Sequence, residues 1–238
     1  MPSSAPSSLS VPPAGPAARR WIVIGDLHDK TARLRDIPGI SEADGIIVTG
    51  DLTLNGGTHQ ARRVLEALRR CNSTVYAQIG NMDRGEVSDW LDAEGWNTHR
   101  HVREIAPGTG LMGLGGSTFT PFGTPSEFPE SRFAEWLEDM WRQARNFRHV
   151  VLSTHTPPYD TLCDVIGNGT HVGSTAVRDF LLDAQPGVCL CGHIHESRAV
   201  DRLGRTVLVN TGAFAMGGYA ELRLAGDDLT VTLHVLGE

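Results

Sequence analysis

The segment CLCGHIHES, residues 189–197, brings four metal-binding side chains close together: Cys189, Cys191, His193 and His195. Thiolate and imidazole groups are both zinc ligands, so the segment is compatible with a single zinc site. However, the two cysteines alternate with apolar residues in a run that predicts a buried strand, where packed thiols are more common than ligands. We therefore expect the two histidines to bind metal and the two cysteines to face the core.

Carboxylate, amide and imidazole side chains also follow apolar runs elsewhere in the chain. The runs RWIVI, GIIVT and STVYAQI each end at a Gly and a polar residue, and RHVVLST ends at a His, which predicts buried strands that lead into loops. In an open α/β sheet, such loops gather at the carboxyl edge of the strands. The side chains that we expect to meet there are Asp26, His28, Asp51, Asn81, His155, His193 and His195.

The donor types in this set indicate which metals would bind. Hard oxygen donors mixed with imidazoles suit Mn, Fe, Zn or Co rather than an all-thiolate zinc site. Seven donors exceed what one tetrahedral ion needs, so two ions that share a bridging carboxylate fit better. Asp26 and His28, like His193 and His195, are two positions apart. Since alternate residues of an extended chain face the same way, we expect the two pairs to hold the ions from opposite sides.

Five motifs in order, GDLH, GDLT, GNMD, STH and GHIH, resemble those of the calcineurin-like metallophosphoesterases. That family has the pattern D-x-H, G-D, G-N-H-D/E, a lone His and G-H-x-H, and the motifs span residues 25–195. The loops PFGTPSE, THTPPYDTLCD and THVGS also look like those of the small Icc-related predicted phosphoesterases. The resemblance implies a four-layer α/β/β/α sandwich, two mixed β-sheets flanked by helices, in a single domain over residues 21–238.

The resemblance also implies a mechanism. Two divalent ions, Mn or Fe with Zn as an alternative, would hold a bridging hydroxide that attacks phosphorus in line, while the metals neutralise the developing charge. Asn81 would also touch the phosphate. Carried over by position, the ligands would be Asp26, His28 and His195 for one ion, Asn81, His155 and His193 for the second, and Asp51 as the bridge between them.

The sequence departs from the family pattern at Met82, where many members have a His assigned to protonating the leaving group or binding phosphate. A thioether has no proton to give, and general acid catalysis contributes roughly 10²–10⁴-fold. Met82 therefore favours leaving groups that need little protonation, or a substitute donor, for which His171 is our candidate. Asp83 either orients a ligand or is a carboxylate at a helix N-terminus. The candidate catalytic residues are thus Asn81, His171 and Asp83.

Composition narrows the function classes. The formal net charge of −7 disfavours a sequence-independent nucleic-acid binder, and no apolar run approaches the ~18 residues of a membrane span. Four cysteines without the spacing of a disulfide framework indicate a reducing, cytoplasmic location. The Pro-, Ser- and Ala-rich residues 1–20 predict a flexible arm rather than a secretory signal, with a transit peptide as the weaker alternative.

Periodicity predicts the remaining elements. Three helices are expected in THQARRVLEALRRCN, EFPESRFAEWLEDMWRQARNF and STAVRDFLLDAQ, the last with a Ser or Thr N-cap, and a short amphipathic helix over 29–40 broken at Pro38. The segments RTVLVNTGAF, GYAELRLAG and DLTVTLHVLG alternate apolar and polar residues, which predicts half-exposed antiparallel strands.

These observations predict a cytoplasmic, dinuclear-metal phosphoesterase, with small phosphodiesters favoured over monoesters because of Met82. A homo-oligomer is compatible with the sequence. One alternative is a metal-binding scaffold or regulatory protein of the same fold with little turnover, which the missing proton donor at Met82 keeps open. A nuclease is the other alternative, and the acidic charge and the lack of length for a capping domain disfavour it.

Overall fold

Eleven strands form two mixed sheets in residues 18–237, the part of the chain that the computed structural model describes. Of the arm predicted over residues 1–20, residues 1–17 lie outside the described residues, and Arg19 and Arg20 begin the first strand. The first sheet has the spatial order β11-β10-β1-β2-β3 and consists of β1 (Arg19–Ile24), β2 (Gly45–Val48), β3 (Val75–Ala77), β10 (Gly218–Ala225) and β11 (Asp228–Val235).

The second sheet has six strands. Its central strands run parallel to one another, while both edge strands are antiparallel to their neighbours. In spatial order they are β4 (Val102–Ala106), β5 (Thr109–Leu114), β6 (His149–Thr154), β7 (Val188–Cys191), β9 (Thr206–Asn210) and β8 (Ala199–Leu203). The strands that precede the candidate ligands, β1, β2 and β3 in one sheet and β6 and β7 in the other, are parallel within their sheets.

Three apolar layers hold the sheets and helices together. Alternation in β1 shows how: Trp21 and Val23 pack between the two sheets, whereas Ile22 and Ile24 pack under the helices of the first sheet. Both faces of the sheet are therefore buried, which is why the strand is a continuous apolar run. The helices that cover the sheets are α1 (Thr58–Cys71) and α2 (Gly85–Ala93) on the first, and α3 (Glu130–Ala144) and α4 (Thr175–Ala184) on the second. The predicted four-layer sandwich is confirmed.

The helix predictions are confirmed for α1, α3 and α4. Ser174 caps α4 by accepting a hydrogen bond from the backbone N–H of Val177 at 3.1 Å. The helix predicted over 29–40 is wrong: only two 3-10 turns form, Leu34–Asp36 and Ile40–Glu42. Ile37 between them is extended, with φ −69° and ψ 117°, because a residue that precedes a proline is disfavoured in the helical region.

The prediction for RTVLVNTGAF is also wrong in part. Strand β9 pairs in parallel with β7 on one side and antiparallel with β8 on the other, and Leu208 and Val209 are fully buried. Strands β10 and β11 are antiparallel, and β11 is largely exposed or half-buried, as its alternation predicts. Among the described residues, the structure contains no helix with the length and apolar character that crossing a membrane requires.

Candidate metal centre

Asp26, His28 and His195 come together from loops that follow β1 and β7. Nε2 of His195 lies 3.3 Å from Oδ1 of Asp26 and 3.2 Å from Nε2 of His28. One ligand atom from each of the three residues lies within 4.8 Å of the other two. A single ion between them could contact all three donors, as the resemblance to the family implies for the first ion.

A second group of donors lies beside the first. Nε2 of His155 is 2.9 Å from Oδ1 of Asn81, and the ring centroids of His155 and His193 are 5.0 Å apart. Asp26, Asp51 and His155 also form a set whose ligand atoms lie within 4.8 Å of one another. The structure therefore brings together all seven residues that the sequence singles out as ligands.

Asp51 stands between the two groups. Its Oδ2 atom is 3.4 Å from Nε2 of His155 and 3.6 Å from Nε2 of His28. Its other oxygen, Oδ1, accepts a hydrogen bond of 2.8 Å from the backbone N–H of Met82, which fixes the plane of the carboxylate. One carboxylate oxygen thus faces donors from both groups.

Two histidines are held in a fixed orientation by backbone carbonyls. Nδ1 of His28 lies 3.3 Å from the carbonyl oxygen of Thr53, and Nδ1 of His155 lies 3.2 Å from that of Thr49. Since a carbonyl only accepts, we assign the ring proton to Nδ1 in both, which turns the Nε2 lone pair towards the cluster. This is the arrangement by which neighbouring groups orient metal-binding histidines, so the residues present fit a metal centre.

The backbone reaches this arrangement through left-handed conformations. The φ angles of Asp26, His28, Asp51 and His193 are 51°, 43°, 51° and 68°. Non-glycine residues rarely adopt such angles, which cluster at functional sites and cost of order 1–3 kcal/mol each. The sequence argument that alternate residues of an extended chain face the same way is therefore wrong. The pairs Asp26–His28 and His193–His195 converge because the chain turns sharply at Asp26, His28 and His193.

The glycines of these motifs leave room for the ligands. A Cβ atom on Gly50, whose φ is 125°, would lie 2.6 Å from Nδ1 of His155 and 2.9 Å from the backbone of Gly80. A Cβ atom on Gly192 would meet the carboxylate of Asp26. Close approach of two loops and a ligand ring therefore excludes any larger residue at these positions.

Asp83 is completely buried behind the ligands. Its carboxylate accepts hydrogen bonds from the backbone N–H groups of Leu52, Thr53 and Gly80 at 3.0, 2.8 and 2.9 Å, and from the hydroxyl of Thr53 at 2.8 Å. It ties the loop after β2, which carries Asp51, to the loop after β3. Helix α2 begins two residues later with Arg84 as its N-cap, so the geometry supports a positioning residue rather than a helix-terminal carboxylate.

The charges of the cluster shift several pKa values. Burial alone would lower the pKa of His155, but the carboxylates of Asp51, Asp26 and Asp83 together outweigh it and raise the pKa to about 9. Burial and the neighbouring His155 lower the pKa of His193 to about 4. For Asp83, burial and the charge of Asp51 raise the pKa to about 7, against the effect of its hydrogen bonds. The carboxylates thus favour a positive charge at the centre of the cluster.

Two cavities adjoin these residues. A cavity of about 570 Å³, which we call the metal groove, is lined by His28, Asp51 and His195 and by the half-buried Met82. Met82, the residue at which this chain departs from the family pattern, therefore lies in the same cavity as the candidate ligands. A larger cavity of about 1040 Å³, which we call the side cavity, lies beside it. The residues that line both are Asn81, Phe122 and His193.

His171 is not in the ligand cluster but lines the side cavity, in the loop between β6 and α4. Its Nδ1 atom lies 2.7 Å from Oδ1 of Asp164, which is fully buried. Asp164 also accepts hydrogen bonds from the backbone N–H groups of Asp160, Thr161 and Gly173. The hydrogen bond to Asp164, together with the charges of Asp164 and Asp160, raises the pKa of His171 above its usual value.

Two supporting residues were not identified as functional from the sequence, although both lie in loops that resemble those of the family: Thr124 in PFGTPSE and Asp164 in THTPPYDTLCD. Asp164 fixes His171, and Thr124 accepts a hydrogen bond of 2.9 Å from Nδ2 of Asn81. Their roles depend on how two long loops close over the site. The resemblance of these two loops to those of the family, and the position of Asp164 seven residues before His171, are the sequence signals that point to them.

Cys189 and Cys191 point away from the site. Both are fully buried free thiols in β7, packed in the layer under α3 and α4. Burial raises the pKa of both thiols above the usual range, which makes the ligating thiolate form unfavourable. The prediction that the cysteines face the core is confirmed.

The family model of the calcineurin-like phosphoesterases matches residues 19–197. The chain belongs to the calcineurin-like phosphoesterase family. The uncharacterized protein MJ1162 of Methanocaldococcus jannaschii is 35% identical over 197 residues, which are 79% of this chain and 85% of that protein. The resemblance noted in the sequence is confirmed, and together with the candidate ligands the family indicates divalent metals.

Solved structures show the same phosphoesterase fold. TT1561 of Thermus thermophilus superposes with a TM-score of 0.66 at 17% identity, over 91% of this chain and 99% of that one. A dimetal phosphatase from Danio rerio gives a TM-score of 0.62 at 13% identity, over 92% of this chain and 97% of that one. At these identities the likeness concerns the fold alone.

Proposed function

We propose that this chain hydrolyses small phosphodiesters at a dinuclear metal centre. The observation that carries the proposal is the position of Asp51, whose Oδ2 atom lies 3.4 Å from Nε2 of His155 and 3.6 Å from Nε2 of His28. A carboxylate oxygen that faces donors on both sides is suited to bridge two ions. The match to the calcineurin-like phosphoesterase family supports metal-dependent phosphoester hydrolysis.

The other six side chains would form two sets of three around this bridge. Two divalent ions would supply Lewis acidity towards phosphoryl oxygens and make hydroxide available near neutral pH. We expect the mixed oxygen and nitrogen donors to suit Mn or Fe, with Zn as an alternative. The proposed ligands are Asp26, His28 and His195 for the first ion, Asn81, His155 and His193 for the second, and Asp51 for both.

Asn81 has a second role in this proposal. Its amide oxygen faces His155, and one of its two amide hydrogens is directed to Oγ1 of Thr124 at 2.9 Å. The other amide hydrogen remains to donate to a phosphoryl oxygen of the substrate. Asn81 would therefore orient the phosphate as well as bind metal. Asp83 acts through the backbone of the two ligand loops and touches neither metal nor substrate.

The preference for diesters follows from Met82. This side chain lines the metal groove where many family members have a histidine, and it has no proton to give to a leaving group. We propose His171 as the donor in its place. A proton on Nδ1 is held by Asp164 at 2.7 Å, and the Nε2 proton of the imidazolium would pass to the leaving oxygen. Leaving groups of low basicity would depend least on this proton transfer.

The alternatives receive less support from the site. A scaffold with little turnover does not require two complete ligand sets around one carboxylate. A nuclease would need positive charge along the nucleic-acid backbone, and among the described residues neither the metal groove nor the side cavity is lined by a Lys or Arg.

The proposal is tested by stripping the protein of metal, reloading it with Mn²⁺, and comparing an aromatic phosphodiester with the matching monoester. We expect turnover only after reloading, and a higher kcat/KM for the diester. His101→Ala, a change of a surface histidine paired with Asp92, is the matched control and should not alter the rate. Absence of metal-dependent turnover would support the scaffold instead, and a preference for the monoester would refute the argument from Met82.

A further inference from the structure

Three aromatic side chains of the side cavity are exposed to solvent. Phe119 is 71%, Phe122 84% and Tyr159 40% exposed, and all three line this cavity. Single exposed apolar residues are normal on a protein surface, but several around one concave site mark a binding surface. None of these aromatic residues is a candidate ligand, and the ring of Tyr159 packs edge-on against that of His171, with ring centroids 5.9 Å apart.

The side cavity adjoins the metal groove and shares lining residues with it. Asn81 and His193, both proposed ligands of the second ion, line the two cavities, and Phe122 stands between them. An ester substituent of a phosphoryl group bound beside Asn81 and His193 would therefore have the side cavity next to it. With a volume of about 1040 Å³, the cavity is large enough for a drug-sized organic group.

The loop that displays Phe119 and Phe122 is held in place. The carboxylate of Glu127 accepts hydrogen bonds from the backbone N–H and the hydroxyl of Thr120, at 3.2 and 2.6 Å, and from the N–H and hydroxyl of Thr124, at 2.8 and 2.6 Å. Thr124 in turn accepts from Asn81. The exposure of the two rings is thus built into a braced loop, which reduces the entropy lost when a ligand binds.

The charges of the side cavity disfavour a second phosphate. Within the described residues its lining contains no Lys or Arg, and its two carboxylates belong to Glu130 and Glu196. Glu130 is occupied with the Ser174 hydroxyl and the first N–H groups of α4. Apart from His171, whose proton the proposed chemistry gives to the leaving group, the lining offers no cationic side chain to an additional anionic group, whereas a neutral ring would meet Phe119 and Tyr159.

We infer that the side cavity is the subsite for a planar aromatic substituent, so that the preferred substrates are singly charged phosphodiesters that carry an aromatic ring or heterocycle. This inference rests on the proposed function, because the phosphoryl group must bind at the metal ligands for its substituent to reach the cavity. Phe119 and Tyr159 bind the ring by stacking and edge contacts, while Phe122 separates the substituent from the metal groove.

The test is calorimetric binding of methylphosphonate, cyclohexylphosphonate and phenylphosphonate to the Mn²⁺-loaded protein. These probes share the phosphoryl group and have no leaving group, so turnover does not affect the result. Phenylphosphonate should bind roughly three- to tenfold more tightly than methylphosphonate, with cyclohexylphosphonate between them. Phe119→Ala and Tyr159→Ala should remove this gain and leave methylphosphonate binding unchanged. Leu182→Ala, an exposed side chain of α4 outside both cavities, is the control.

The possible outcomes separate the two proposals. Equal affinity for the phenyl and methyl probes, or a gain that survives both substitutions, overturns the aromatic subsite and leaves the phosphoesterase proposal standing. Cyclohexylphosphonate binding as tightly as phenylphosphonate overturns the preference for a planar ring. If none of the phosphonates binds to the loaded protein, the phosphoryl site itself fails, and the subsite fails with it.

Discussion

The Nε2 atoms of His28 and His195 lie 3.2 Å apart, although 167 positions separate the two residues in the chain. Nδ1 of His28 is directed to the carbonyl of Thr53, so its Nε2 atom presents a lone pair to His195. Two ring nitrogens at this distance repel each other unless a proton or a metal ion lies between them. A metal ion bound between the two nitrogens would remove this repulsion, so the pair is suited to hold the first proposed ion.

Replacing His195 should remove that ion and leave the other. His195→Ala deletes one of the four proposed donors of the first ion, counting the shared Asp51, but none of the second, so the variant should bind about one ion per chain instead of two, with turnover at least about 100-fold lower. Metal content after gel filtration and phosphodiester hydrolysis measure the two effects. His101→Ala serves as the control. Retention of two tightly bound ions in His195→Ala would show that the proposed division of ligands is wrong.

Replacing Asp83 should lower stability, because its carboxylate joins two ligand loops through four hydrogen bonds. In Asp83→Asn the new amide group faces N–H donors, so we expect the free energy of unfolding to fall by about 2–5 kcal/mol. Denaturant unfolding measures the change. Asp89→Asn, at an exposed carboxylate of α2, should change it by less than about 0.5 kcal/mol. An effect of Asp83→Asn no larger than this control would contradict the positioning role.

The pH dependence of turnover should reveal the Asp164–His171 pair. The hydrogen bond to Asp164 raises the pKa of His171, as do the charges of Asp164 and Asp160, whereas Arg178 lowers it. A proton donor is active below its pKa, so kcat should fall as pH rises through that value. Asp164→Asn lowers the pKa and should move this alkaline limb to lower pH.

Histidine NMR titration should show the same displacement of the His171 pKa as the kinetic profile. Asp160→Asn is the matched comparison, since Oδ1 of Asp160 is 3.7 Å from Nε2 of His171 and should produce a smaller shift in the same direction. His171→Gln should abolish the limb. An alkaline limb that stays in place in Asp164→Asn would exclude His171 as the donor.

Restoring the histidine of the family pattern should widen the range of leaving groups. Met82→His places an ionisable group in the metal groove, so hydrolysis of diesters with poor leaving groups should rise at least roughly tenfold, within the 10²–10⁴-fold range of general acid catalysis. Diesters with good leaving groups should change little. Met82→Leu provides an apolar control. If Met82→His does not raise the rate on poor leaving groups, the missing proton at this position is not limiting.

Sequence reasoning located the candidate ligands because each follows a buried apolar strand, and the carboxyl ends of parallel strands lie at one edge of a sheet. It did not predict how they converge. The left-handed angles of Asp26, His28 and His193 depend on contacts between distant loops, and residue spacing carries no information about them. The same limit explains why Asp164 was missed, since its function arises only when the loop folds back on itself.

Local sequence patterns also gave a wrong helix over residues 29–40 and did not indicate helix α2. Apolar spacing favoured a helix before Pro38, but the proline forces Ile37 into an extended conformation. Helix α2 is short, and its apolar residues Val87, Trp90 and Leu91 become a helix face only when packed against the first sheet. Strands buried on both faces were easier to predict, because they need no particular partner to be apolar throughout.

The most direct test of a dinuclear phosphoesterase is a titration of metal-stripped protein with Mn²⁺, in which bound metal and phosphodiester turnover are measured on the same samples. We predict that turnover is negligible without metal and reaches its maximum when about two ions are bound per chain, since the bridge at Asp51 requires both. Full activity at one ion per chain, or no turnover at any occupancy, would contradict this account.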